Sequence, residues 1–586
     1  MELKAKIKAH WPEGLILLVA ALARLLLLSL KPPHFDEGVN GWFVDQMTHT
    51  GFYHYDPTNY HGPFHFYVLF LAQTLFGRHI WALRLPLALI SLATVWLAMR
   101  FERFIGRNAA LWAAAAMAVS PGSVFYARYA IHEDWLVFSL MLSAWGLMGL
   151  WQTGEKKDLW AVWIGAAGAV LTKETYVIHF AACILTVPCV AIAGLLNGDP
   201  DYTRLPPQKW KPLDMGICAI VFLGSVLFFY SGAGMDIPGL QGLYTTFGAW
   251  AHTGHNGNGH EKPWFYWLTL LGQYEWPSCF GLVAALAAIL PRSPRWVWTV
   301  TAALAVVWLA FCGALKVMAA HGTYLWHTWG EADTNTALFT AWLTAPYLVL
   351  CAAILFAVMA AAPRVPRYMR ALAIYGIGAL VAYSIIHYKT PWCIISLTWP
   401  FLLLFGCGVD LAQRKLGKPV AYFAGLVLFA NGVDMAVLNF HNYTRAREPY
   451  VYVQTFPAAN DVINPIYKLA ARNPAHYQLS GHILMDSYHP LPWLLGDFPN
   501  IGYYDDNTLP PKMDADFLMV DESRESDVES QLHEAYYTEV LTLRDAQAPS
   551  KVYFNAKTFA GIFPGRKPEF QPAPDTSPSP APQSTP

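Results

Sequence analysis

The sequence predicts a mainly α-helical, polytopic membrane protein of about thirteen transmembrane helices, with a small extracytoplasmic α/β domain toward its C-terminal end. Hydrophobic residues make up 55% of the 586 and charged residues only 13%, where soluble domains carry about a quarter charged. Apolar runs of roughly 17 to 25 residues, the length that crosses a bilayer, recur between positions 14 and 440. Beyond Phe440 the pattern changes to short alternating strands. The 24 Trp and 30 Tyr fit many interface crossings, because amphipathic rings favour the headgroup layer. A net charge of -1 excludes a nucleic-acid partner, which needs a basic face. The eight cysteines lie in or beside apolar runs, with no disulfide framework and no zinc-type CxxC spacing.

The runs fall near 14–30, 83–101, 109–127, 133–151, 213–231, 265–290, 296–314, 337–361, 370–387, 392–411 and 420–438. The stretch 157–195 is too long for one span and is interrupted by Thr172-Lys173-Glu174, so it divides into two. The first run follows Lys4, Lys6 and Lys8 and precedes no small-residue cleavage site, so it reads as a retained span and not a removed signal. With the N-terminus cytoplasmic, 19 lysines and arginines fall in inner loops and seven in outer ones. That bias sets orientation, and an odd number of spans leaves the C-terminal part outside a plasma (inner) membrane. The count also supports the division at Lys173, since a single span over 157–195 would reverse every later loop.

Within a membrane domain spanning 1–440, the outer segment 31–82 is too long for an idle connection. Val39, Trp42, Phe43 and Met47 predict a short amphipathic helix from Glu37 to Thr48. Phe64 to Phe76 is apolar but too short to cross, which suits a re-entrant or interfacial helix. A second outer loop, 232–264, holds His252, His255, His260 and several glycines and reads as a flexible gate. Residues 441–562 form the α/β domain, with strands at 482–485 and 517–520 and a helix near Asp527 to Tyr536. The Pro/Ser-rich tail 563–586 should be disordered. There is no internal repeat, P-loop, GxGxxG or GxSxG.

Charged residues that persist on the outer side against the positive-inside bias are the candidates for a site. Asp36 and Glu37 follow the first span. They suit a general base beside a second acid, and equally the cap of an interfacial helix, whose first amide groups an acid satisfies. Arg128, His132, Glu133 and Asp134 share one short turn between spans, where a local salt bridge with an N-cap competes with substrate binding. Lys173 and Glu174 lie at the break between apolar segments, and His387 and Lys389 precede another span. A lysine or arginine near the outer interface neutralises a phosphate, while snorkelling explains any one of them alone. Three cations on one side, Arg128, Lys173 and Lys389, favour a shared anionic ligand. His54, His61, His65 and the 252–260 histidines match no metal-binding spacing and suit solvent-facing or aromatic-packing roles.

Several motifs carry a family resemblance: Phe35-Asp36-Glu37 after the first span, His61-Gly62-Pro63-Phe64, Arg84-Leu85-Pro86, Arg128-Tyr129 with Glu133-Asp134, Thr172-Lys173-Glu174, and Lys389-Thr390-Pro391-Trp392. In this order the chain resembles the GT-C membrane glycosyltransferases of the protein mannosyltransferase and aminoarabinose-transferase group. Its nearest likeness is to the subfamily of flippase-activity-associated proteins, over about 14–440 and into Arg447 to Gln454. The resemblance implies a sugar donor on a polyprenyl phosphate and a hexosyl- or pentosyltransferase that works on the outer face with inversion. The acceptor would be a glycan, lipid or protein, and membrane lipids would surround the site. It makes Asp36 the base or acceptor-orienting acid with Glu37 beside it. Arg128, Lys173 and Lys389 would contact the donor phosphate, and Glu133 or Asp134 would shape an acceptor or metal site. His132-Glu133 departs from relatives that carry a basic or amide residue before a single Asp. No cofactor is required, although a divalent metal is compatible with these residues. The competing expectation is a non-catalytic lipid-linked-sugar binding or flippase-associated transport protein. A secondary transporter would instead need inverted repeats and ionisable groups near span centres.

Overall fold

The structure is a computed structural model that describes residues 2–59, 61–196, 202, 205–256, 259–289, 349–360, 365–505, 508–545 and 547–572. Its contacts divide the chain into two compact units, one of Met1–Leu30 with Gln46–Tyr452 and one of Lys31–Asp45 with Val453–Pro586. The sequence reading draws its boundary at 440/441 and keeps the first outer segment with the membrane part. The structure groups Lys31–Asp45 with the C-terminal unit.

The first unit is helical. Among the described residues seven helices are long and apolar enough to cross a membrane: Ile80–Ile105, Glu133–Gln152, Tyr176–Leu196, Pro212–Tyr230, Arg367–Ile385, Pro391–Leu416 and Lys418–Phe440. An eighth is the pair Arg107–Ala118 and Pro121–Ala127, bent by 57°. The bend follows from Pro121, which cannot donate into the preceding turn, with Ser120 capping the next amide through Ser123 N–H at 3.2 Å. The thirteen spans of the sequence reading are not reached among these residues, for identifiable reasons. The expected spans at 296–314 and 337–361 lie wholly or mostly outside the described residues. The 265–290 run is broken at Glu275 into Tyr266–Tyr274 and Trp276–Ile289.

The division at Lys173 is present, as helices Lys156–Val170 and Tyr176–Leu196 flank it. The first run ends at Leu25 instead of reaching 30, because residues 26–30 turn and Leu27 takes a positive φ. The loop 232–264 is also less open than expected, since Gly242–Asn256 is helical. The two short helices of the first outer segment are present as Phe35–Thr50 and Phe64–Phe76.

Small residues let the spans meet backbone to backbone. A side chain on Gly281 would collide with the Phe401 carbonyl, and one on Gly406 with that of Ala109. Pro391–Leu416 sits at the centre of the bundle with almost every residue buried.

The second unit carries a five-stranded sheet of order β2-β1-β3-β5-β4. Its strands are β1 (Gly481–Leu484), β2 (Ile501–Tyr503), β3 (Phe517–Asp521), β4 (Tyr536–Leu541) and β5 (Ser550–Asn555). β1 runs parallel to β2 and β3, and β5 antiparallel to β3 and β4. Side chains alternate along β3. Phe517 and Met519 pack with Val462, Ile466 and Leu469 of the helix Ala459–Arg472, while Leu518 and Val520 pack with Tyr536 and Tyr553 on the other face. That helix escaped the sequence reading, and the helix expected near 527–536 is only Glu525–Glu529. Most of the expected disordered tail, 573–586, lies outside the described residues.

Gly281→Ala should destabilise the protein in detergent by about 1–3 kcal/mol through overpacking. Gly216→Ala, which has open space around it, should be neutral in the same thermal unfolding assay.

Candidate functional site

The helix Lys156–Val170 stops at Leu171-Thr172, where the Thr172 hydroxyl donates back to the Gly168 carbonyl at 2.7 Å. The chain around Gly62 lies directly on this break. Gly62 N–H donates to Thr172 O at 3.1 Å and Phe64 N–H to Leu171 O at 3.1 Å. Any side chain at Gly62 would collide with the Leu171 backbone, so glycine is required there by the close approach. This contact sets His61 Nδ1 2.9 Å from Glu174 Oε2. On the other side Lys173 Nζ pairs with Glu133 Oε1 at 2.8 Å and lies 3.9 Å from Glu174 Oε1.

His132 precedes the helix Glu133–Gln152, and its ring lies between those of His61 and His65, at 4.5 and 4.1 Å between centroids. Trp135 Nε1 donates to His65 Nδ1 at 3.2 Å, which leaves Nε2–H of His65 to donate to the Ala130 carbonyl at 3.2 Å. His132 is buried, and its Nε2 has no hydrogen-bond partner among the described residues.

Burial acts to lower the proton affinity of Lys173, but Glu133 and Glu174 outweigh it and hold Lys173 well above its ordinary value. Burial likewise acts to raise Glu174, and Lys173 with His61 more than offsets it, so that carboxyl lies below its usual range. His132 is pushed well below the ordinary histidine value by burial and by its neighbours His65, His61 and Lys173. It is therefore a neutral ring at physiological pH. In the cluster the Lys173 ammonium faces two acidic side chains, Glu133 and Glu174.

The other candidates divide around this cluster. Asp134, one position along the helix from Glu133, faces Ser91 and Arg24 instead of Lys173. The Arg128 guanidinium closes the end of the first helix, donating to the carbonyls of Ala23, Arg24, Leu26 and Leu27 and lying 4.7 Å from the Phe440 ring. Lys389 is set by a short antiparallel pairing of 260–262 with 387–389. Its ammonium donates to the Lys262 carbonyl at 3.2 Å and to that of Ile386. Lys262 Nζ lies 5.5 Å from the Tyr452 ring, and His387 is exposed. Neither lysine has a carboxylate within ion-pair distance among the described residues.

In the second unit the two first acids have different surroundings. His34 N–H donates to Glu37 Oε2 at 2.8 Å and Asp36 N–H to His34 Nδ1 at 3.1 Å. This is a capping box built on histidine. Glu37 is buried within it, while the Asp36 side chain remains 36% exposed.

Sequence reasoning brings Glu133, Lys173 and Glu174 to one outer side but assigns His61 and His65 no site role. The His61-Gly62-Pro63 motif was the available signal, since a glycine before proline marks a close backbone approach. Among the described residues no group of three or more His, Cys, Asp and Glu side chains is arranged to hold a metal ion.

Residues 60–198, which contain the whole Lys173 cluster, match the family described as dolichyl-phosphate-mannose-protein mannosyltransferase. No curated protein matches the chain. Among solved structures, ArnT from Cupriavidus metallidurans bound to undecaprenyl phosphate is similar with a TM-score of 0.59 at 14% identity, over 94% of this chain and 99% of that one. The apo state of the same protein is similar with a TM-score of 0.54 at 14% identity, over 95% and 99%.

Removing the ammonium of Lys173 by Lys173→Met should cost about 3–5 kcal/mol of stability, because it leaves buried carboxylates uncompensated. Chemical denaturation in detergent measures this, and a change below about 1 kcal/mol would show a solvated network. The contribution of Glu174 is complete above its ordinary value of 4.5 and is lost as the pH falls through its lowered folded value. Glu174→Gln should therefore flatten the fall in thermal stability in that acid range. The protein is a multi-pass membrane protein that shares its fold with ArnT.

Proposed function

We propose that this protein transfers a sugar from a polyprenyl-phosphate donor to a hydroxyl or amine acceptor on the outer face of the membrane, with inversion at the anomeric carbon. The observation that carries the reading is the unequal use of the first two acids. Glu37 is engaged in the helix cap, so Asp36 is the one with an open carboxylate at the helix start. A general base must be able to reach the proton it removes. The fold supports the donor class, since ArnT was solved with undecaprenyl phosphate bound. So does the match of 60–198 to a family that uses dolichyl-phosphate-mannose.

In the proposed step Asp36 takes the proton of the acceptor, whose freed electron pair attacks the anomeric carbon. The bond from that carbon to the phosphate oxygen breaks, and its electron pair leaves with the polyprenyl phosphate. The departing phosphate gains negative charge and needs fixed cations. Lys389 and Lys262, with His387 beside them, suit this better than Lys173, whose charge two carboxylates already balance. They suit it better than Arg128 also, whose two terminal nitrogens are engaged by backbone carbonyls. The Lys173 cluster, with Glu133, Glu174, His61 and His132, suits the hydroxyl groups of the sugar or acceptor.

Full-length protein in proteoliposomes, given undecaprenyl-phosphate-linked hexoses and pentoses with glycolipid and peptide acceptors, should release undecaprenyl phosphate. Asp36→Asn should lower that release by roughly 100-fold or more and leave binding of undecaprenyl phosphate unchanged. Lys389→Met should weaken that binding about tenfold, the loss of one charge-assisted hydrogen bond. Release at the wild-type rate by Asp36→Asn would overturn the base. Binding without release from any donor would favour a lipid-linked-sugar binding protein.

A further inference from the structure

The segment that carries Asp36 is built into the C-terminal unit. Pro32 O accepts from Gln454 Nε2 at 2.9 Å. Side chains at Gly38 and Gly41 would collide with Pro490 and Trp493, so the helix rests its backbone directly on the 490–493 turn. Phe35, the neighbour of Asp36, is held from two directions. Its ring meets the His489 ring edge-on at 5.3 Å, and the Arg544 guanidinium carbon lies 4.8 Å from its centroid.

Arg544 is itself fixed. It is buried, its Nη1 donates to Ser487 Oγ at 2.9 Å, and its Nη2 donates to the carbonyls of Ser487 at 3.2 Å and of His489. Its Nε is also buried and has no partner among the described residues. Burial lowers the Arg544 proton affinity to about 10 and the nearby Asp36 carboxylate acts in the opposite sense. His489 is lowered to about 4 by burial and Arg544, again with Asp36 opposing. At physiological pH Arg544 is therefore a cation and His489 a neutral ring.

From the doubly held Phe35 ring, the glycine-backed seat and the buried Arg544 fork, we infer that the C-terminal α/β unit is part of the catalytic apparatus, with Arg544 as the positioning residue of Asp36. It acts through the Phe35 ring, with His489 on the ring's other contact. This inference rests on the reading of Asp36 as the base. A planar guanidinium can stack on a ring and bond two carbonyl groups at once, which an ammonium cannot. A base held loosely loses rate and not donor affinity, because misplacement by about 1 Å is enough to slow a step.

The test uses full-length protein in proteoliposomes and the release of undecaprenyl phosphate. Arg544→Ala should lower kcat by roughly 10- to 100-fold with KM for the lipid donor within about twofold of wild type. Arg544→Lys, which keeps the charge but not the planar stack, should fall between. The double variant Asp36→Asn with Arg544→Ala should be no slower than Asp36→Asn alone, since residues acting as a unit are not additive. Lys557→Ala, an exposed site in the same unit, should match wild type.

Amide hydrogen exchange of the peptide 34–43 gives a readout independent of turnover, and it should be faster in Arg544→Ala and close to normal in Arg544→Lys. If Asp36→Asn is slow but Arg544→Ala turns over normally, or if the two losses multiply, the inference falls and the base stands. If Asp36→Asn is as fast as wild type, both fall. Unchanged exchange in Arg544→Ala also overturns the positioning role. Should Arg544→Ala fail to fold, Arg544→Lys and Arg544→Gln carry the same comparison.

Discussion

A helix that ends inside an apolar body leaves its last carbonyl groups without water, and here buried arginines take them. Arg128 donates to four carbonyls around the end of the first helix. Arg24, from that same helix, donates to Met117 and Ala118, where Arg107–Ala118 stops before the bend. Arg84 donates to Leu28 at 2.7 Å and Arg370 to Ala288 at 3.0 Å, at the end of Trp276–Ile289. Lipid offers backbone no substitute partner, so irregular chain at membrane depth is tolerated only where protein satisfies it. A charged donor on a carbonyl contributes about 1.5–3 kcal/mol, and loss of the arginine would orphan several carbonyls together. These residues therefore fix where the spans break, and the breaks are where the polar turns of the first unit emerge.

The two polar clusters of that unit differ in what surrounds their lysines. At the Leu171–Thr175 break the backbone approach of Gly62 delivers His61 to Glu174, and Glu133 comes from the start of another span. Lys173 is left between two carboxylates. At 260–262 and 387–389 the two segments pair through their backbones, with the His260 and Tyr388 rings edge-on at 5.0 Å, and Lys389 is held by carbonyls that carry no full charge. A lysine of the second kind meets only carbonyl dipoles. A lysine of the first kind has its charge met by the acidic side chains beside it. Both are lysines at span ends, and the local partners alone decide between the roles.

That distinction marks the limit of what the sequence could show. The spans, the division at Lys173 and the α/β character of the C-terminal unit are legible because they depend on local hydropathy and alternation, which a chain displays residue by residue. The break between Ala118 and Pro121 is missed, since the sequence reading runs one span through 109–127 despite the proline. The roles of Arg128, Glu133 and Asp134 are not legible. Charge at a turn says that a partner is needed, and only the packing says whether that partner is a carbonyl, a carboxylate or a ligand. The helix Ala459–Arg472 is obscured by its internal Pro465 and by the absence of a side-chain cap at Ala458. The loop 232–264 reads as flexible from its glycines, yet its central part is helical, because glycine permits disorder without requiring it.

Asp36 and Glu37 show how local geometry can separate two identical functional groups. Successive residues on a helix point about 100° apart, so two adjacent acids cannot serve one environment. Glu37 accepts from the His34 N–H in the cap, and the rotation then leaves Asp36 partly exposed. Backbone chemistry thus selects which acid remains available, without any reference to a substrate. The cap alone would still leave the helix free to pivot about His34. That freedom is removed by glycines at 38 and 41, which let the helix lie against the 490–493 turn, and by Phe35 between His489 and Arg544. An acid near the start of the chain is in this way oriented by residues near its far end. The conformation of residues 34–43 is consequently a property of the folded C-terminal unit.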